Sequence, residues 1–145
     1  PDTCVAITTP ALAITAGSSL SYKTRFNLEQ NWDGVVVEIS TNNGATWANL
    51  PPTAGYPGTL SATQGNACGY PATQGVFTGS SANAFVSASS SLAAFAEQNA
   101  RIRWRFTSDG GAEELGFFLD EVQITNASAP AACTVGDFTF RNGFE

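Results

Sequence analysis

Residues 101–125 read RIRWRFTSDGGAEELGFFLDEVQIT, and their first six positions decide the fold. Ile102, Trp104 and Phe106 alternate with Arg101, Arg103 and Arg105. A period of two belongs to a strand that turns one side chain to a core and the next to water. A helix would scatter both sets around its circumference. The same alternation recurs outward along the chain. Leu20, Tyr22, Phe26 and Leu28 oppose Lys23, Arg25 and Asn27, and Val35, Val37 and Ile39 oppose Val36, Glu38 and Ser40. Phe118, Asp120, Val122 and Ile124 form a further face, interrupted by one carboxylate. Strands are expected near 11–15, 19–29, 34–40, 46–50, 84–90, 100–107, 116–125 and 135–140, with a single helical turn near 91–98. Eight strands between turn signals predict an all-β, two-sheet antiparallel sandwich of jelly-roll type.

The composition agrees and removes several function classes. The chain has 145 residues, 43% of them hydrophobic, enough for one domain with its own core. Only 12% are charged, with a net charge of −6. Such a weakly charged, polar surface is frequent in extracellular bacterial proteins. Six basic residues make no stripe for a phosphate backbone, so no nucleic-acid partner is expected. No run of apolar residues is long enough for a membrane span. There is no histidine, which excludes Ser-His-Asp triads, Cys-His dyads and the usual zinc sites. There is no methionine either, so a processed piece of a longer, secreted precursor is expected.

Two local features stand apart. Residues 51–83 are rich in Pro, Gly, Ser and Thr and carry Tyr56, Tyr70 and Phe77; a loop this long is either functional or tied down. Residues 126–132, NASAPAA, read as a linker into a C-terminal tail, dividing the chain into a domain at 1–125 and a linker and tail at 126–145 that packs on it or extends from it. Ser40–Trp47, STNNGATW, resembles the Asp-box hairpin of sialidase propellers, with Asn42 at the Asp position. A propeller repeats that motif, and one copy reads as a structural turn.

Residues 28–50, LEQNWDGVVVEISTNNGATWANL, together with 101–125, resemble the MAM-like jelly-roll domains that accompany immune-inhibitor-A-type secreted metalloproteases. The features are Glu29, Asp33-Gly34, Ser40 with Gly44 and Trp47, Arg103 with Arg105-Phe106, Ser108-Asp109, and Gly116-Phe117 with Leu119-Asp120-Glu121-Val122. Val35 replaces a family glycine, and loop 51–83 aligns with no pattern. The tail FRNGFE, residues 140–145, resembles short tails on secreted proteins of some Gram-negative bacteria. The resemblance implies a non-catalytic accessory or adhesion-type module, not an enzyme, whose partners are a parent catalytic domain or an extracellular protein or polysaccharide. The alternative is a carbohydrate-binding module with Trp32, Tyr56, Tyr70 and Phe77 as platforms beside Asn31, Asn66 and Gln74. A hydrolase with paired carboxylates would use Glu29/Asp33 or Glu113/Glu114.

Three further expectations follow. In a jelly roll the first and last strands run antiparallel, which favours a Cys4–Cys133 disulfide; Cys68 is the rival partner for either end. Arg103 and Arg105 lie on the outer face and pair with carboxylates such as Glu38 or Glu121, for roughly 0.2–1 kcal/mol. Asp120, by parity, points inward and needs a partner. It either holds calcium with Glu29 and Asp33 or accepts backbone N–H groups of the 29–34 turn.

Overall fold

A computed structural model describes residues 2–63, 65–112, 114–129 and 137–140. Among these described residues eleven strands follow in chain order: β1 (Cys4–Thr8), β2 (Leu12–Ala13), β3 (Ser19–Asn27), β4 (Gly34–Ser40), β5 (Ala48–Asn49), β6 (Gly58–Thr59), β7 (Gly75–Val76), β8 (Val86–Ser91), β9 (Asn99–Thr107), β10 (Gly116–Thr125) and β11 (Asp137–Phe140). The expected helical turn is a 3₁₀ turn at Ala93–Phe95. No helix among the described residues is long and apolar enough to cross a membrane.

Two antiparallel sheets form a sandwich. The first has the order β1-β9-β4-β5, with β2 also on β9, and the second β11-β10-β3-β8. The alternation read from the sequence supplies the inner faces. Leu20, Tyr22 and Phe26 of β3 meet Val35, Val37 and Ile39 of β4 and Ile102 and Trp104 of β9 in one core. Trp104 stands edge-on to Tyr22, their ring centres 5.3 Å apart.

Strand β4 departs from expectation. All seven of its residues are buried, on both faces. The reason lies in residues 51–83, which fold back over the outer face of the first sheet. Their hairpin β6-β7 delivers Leu60 and Val76 onto Val36, with Tyr70 alongside, as a second small core. Phe77 passes into the main core. The long loop is thus tied down by packing as well as by a covalent link.

That link corrects the expected disulfide. Cys4 is bonded to Cys68, not to Cys133, which lies outside the described residues. Cys4 opens an unanticipated strand, β1, and sits opposite Thr107 of β9. The loop reaches the same residue, because the Cys68 N–H donates to Thr107 Oγ1 at 3.0 Å. Both cysteines therefore converge on Thr107, with Cα atoms 5.1 Å apart. The described residues after 125 lie on the sandwich. Ala127 is buried, Ser128 pairs with Ala13, and β11 runs along Val122–Thr125 of β10.

Candidate functional site

The site is built by register. Glu38 lies opposite Arg103 in the β4–β9 pair, so Gly34 lies opposite Thr107. The residues just beyond those ends, Asp33 and Ser108-Asp109, must then meet at one rim of the sheet. Glu29 joins them through a tight turn in which the Asp33 N–H donates to the Glu29 carbonyl at 2.9 Å. Carboxylate oxygens of Glu29, Asp33 and Asp109 all lie within 4.8 Å of one another.

Backbone N–H groups of the Gly-rich turn engage these carboxylates. Asp109 Oδ1 accepts from Gly110 and Gly111 at 2.8 and 2.7 Å, and Glu29 Oε2 accepts from Ala112 at 3.0 Å. Asp33 is 6% exposed and accepts a longer bond from the Asp109 N–H, 3.4 Å. Burial raises its pKa above the ordinary carboxylate value, and the charges of Asp109 and Glu29 push the same way. A pocket of about 320 Å³ opens beside the cluster, lined by Asp33, Ser108, Gly110, Gly111 and Glu114 among others. Three carboxylates in one place are hard oxygen donors, the chemistry a calcium ion takes, with backbone carbonyls able to complete six to eight ligands.

Asp120 is not in this cluster, which corrects the expected ligand set. Pairing between β10 and β3 shifts register between Asp120 and Gln123, and Glu121 has φ of 48°. This bulge reverses the side-chain parity. Phe117 and Leu119 pack on the core before it, and Val122 and Ile124 after it. Asp120 Oδ1 instead accepts the Glu121 N–H at 2.7 Å. The carboxylate of this cluster that the sequence did not single out is Asp109, which the Glu38–Arg103 charge pairing would have located once taken as a register mark.

The loop aromatics face the sheet. Phe77 is 5% exposed within the core and cannot offer a platform. Tyr56 is half-buried, and its hydroxyl accepts the Val37 N–H at 2.9 Å and bonds Asn49 Oδ1 at 3.0 Å. Tyr70 is half-buried over the second core, with the Arg105 guanidinium 5.5 Å from its ring. Asn66 bridges the Tyr70 backbone and Thr107 Oγ1. Trp32 is half-buried beside Asp33, with its N–H on the Glu29 carbonyl. Glu113 lies outside the described residues. Glu114 is exposed and accepts from Asn27 Nδ2 at 2.7 Å.

The Ser40–Trp47 hairpin has the mechanics of a structural turn. Ser40 Oγ accepts the Gly44 N–H, Asn42 Oδ1 accepts the Thr46 N–H, and Trp47 Nε1 donates to the Gly44 carbonyl. Asn43 and Gly44 take positive φ, 59° and 90°. Trp47 then lies beneath Arg103, whose guanidinium is 4.1 Å from the ring centre. Arg103 donates to Glu38 Oε2 at 2.5 Å, in a pair with side chains 16% and 8% exposed. Glu121 pairs instead with Lys23 at the surface, at 3.0 Å. No protein-family model matches the chain, and no curated protein matches it.

Proposed function

We propose that the chain is a non-catalytic accessory module of a secreted bacterial multidomain protein, of the MAM-like jelly-roll kind, that stabilises or positions a parent catalytic domain such as a protease. The observation that carries this reading is where the polar groups are used. The carboxylates that chemistry would need are bonded to backbone N–H groups of one turn, and Asp33 is buried. The aromatics that ligand binding would need hold a 33-residue loop, 51–83, onto the sheet. A covalent clip between β1 and that loop supports life in an oxidising compartment. The expected assay pattern is no turnover by the isolated chain and no adsorption to insoluble polysaccharides, which the carbohydrate-binding alternative requires. Hydrolysis of a glycoside, ester or peptide that Glu29→Gln abolishes would overturn it.

Within this reading, Glu29, Asp33 and Asp109 take a calcium ion. The support is the donor chemistry and the raised pKa of Asp33, a cost that a divalent cation relieves. Calcium should raise the thermal midpoint relative to chelator, and Asp109→Asn should remove that difference. An equal midpoint in calcium and in chelator sinks the assignment.

A further inference from the structure

The outer face of the second sheet is divided in two. Its cross-strand rows follow from the registers of β10, β3 and β8. The rows Asp120–Lys23–Ser87 and Gln123–Ser21–Ser89 are polar, and Lys23 pairs with Glu121 at 3.0 Å. The neighbouring row is apolar around a cation. Phe118 lies opposite Arg25, and residue 85, one step before the Val86–Thr24 pair, falls opposite Arg25 on the other side. Phe118 is 37% exposed and Phe85 45%. Leu115 is 72% exposed and lines a pocket of about 320 Å³ with Phe118 and Arg25. Three of the five exposed large apolar side chains among the described residues therefore gather around one guanidinium.

That guanidinium is held in place. Its central carbon stands 4.5 Å from the Phe118 ring centre and 5.3 Å from that of Phe85. Its Nη1 donates to Asn83 Oδ1 at 3.4 Å. A strained turn presents Asn83, with φ of 53° at Ala82 and 60° at Asn83. Ser81 pins this turn to β3, its Oγ accepting the Phe26 N–H at 3.0 Å. Arg25 has no ion-pair partner among the described residues. A positioned guanidinium without a carboxylate, inside an apolar rim, has the makeup of an interface anchor.

We propose that this face docks a protein segment carrying an acidic side chain among apolar ones. The carboxylate meets the open N–H edge of Arg25, and its apolar neighbours cover Phe85, Phe118 and Leu115. Charge selects the carboxylate. The two rings close two sides of the guanidinium, so a ligand reaches its in-plane N–H groups, which match a planar anion. The rim selects protein over an acidic sugar. Ring faces on which a sugar would stack are turned to the cation, and Leu115 is aliphatic.

The test is binding of the full chain to immobilised short peptides that alternate glutamate with leucine or phenylalanine, each beside its glutamine counterpart. A chain of net charge −6 is repelled by acidic peptides in general, so a preference for the glutamate set reports a local cation. The glutamate set should bind about tenfold more tightly. Arg25→Gln should abolish that preference, Arg25→Lys should keep part of it, and Phe118→Ser should weaken binding of both sets. Thermal midpoints monitor the fold, and Leu115→Ser takes the place of Phe118→Ser should that variant not fold. No binding, equal binding of the two sets, or a preference that survives Arg25→Gln overturns the proposal. Binding of a soluble oligouronate that Arg25→Gln abolishes also overturns it, by assigning the face to a polysaccharide. Self-association of the chain that Arg25→Gln abolishes overturns it too, by assigning the face to a second copy.

Discussion

Arg103 is held three ways: by register opposite Glu38, by its bond to that carboxylate, and by Trp47 beneath it. The loop over the outer face keeps water from the pair, so a weak surface interaction has become a largely desolvated one. Arg103→Met leaves Glu38 charged and buried, and should cost about 3 kcal/mol in urea denaturation. Adding Glu38→Leu should recover much of that loss, whereas Arg105→Gln alone should cost under about 1 kcal/mol. The tyrosines carry a second prediction. Burial raises the pKa of Tyr22, Tyr56 and Tyr70, which are all the tyrosines in the chain. A folded-state pKa above the unfolded one keeps the phenol neutral while the unfolded chain ionises near pH 10, so stability falls as pH rises past about 10. Absorbance at a tyrosinate wavelength should therefore rise together with the loss of near-ultraviolet dichroism, not before it. A reversible rise in the folded protein would contradict this.

The loop 51–83 behaves as an element because hairpin β6-β7 closes onto β4. Gly34 makes the closest approach: a Cβ there would lie 2.8 Å from Val76 Cβ. Gly34→Ala must push the hairpin away, and should cost roughly 1–3 kcal/mol by overpacking. Gly65→Ala, with nothing within 4 Å, should be neutral in the same denaturation experiment. Strand parity was legible for β3, β4 and β9, whose core-facing residues recur at every second position. It misled at β10, because Phe117, Phe118 and Leu119 are all apolar and hide the phase change at Glu121. It also could not show that Val36 is covered, since Leu60 follows β6 and Val76 lies in β7, two-residue strands too short to carry a period. Asp109 escaped for a related reason: a turn carboxylate has no periodicity, and only its place beyond Thr107 in the ladder identifies it.

At the scale of the molecule, Cys4–Cys68 closes a loop across 64 positions and joins β1, β9 and the long loop at Thr107. Cys4→Ser should lower stability by about 4 kcal/mol in the chain-entropy account, read as the shift between oxidised and reduced unfolding midpoints. The expectation that the chain ends would be bridged followed from strand order alone. It missed the partner because residues 51–83 offered no pattern from which Cys68 could be placed on the first sheet. The same bond has a mechanical meaning. If the module is stretched between neighbours, tension that enters before Cys4 crosses directly to Cys68 and bypasses β2 to β6. About 220 Å of chain, at roughly 3.4 Å per residue, is then shielded from extension until the bond is reduced. Redox state would thereby set how far the module yields under load, independently of how stable it is at rest.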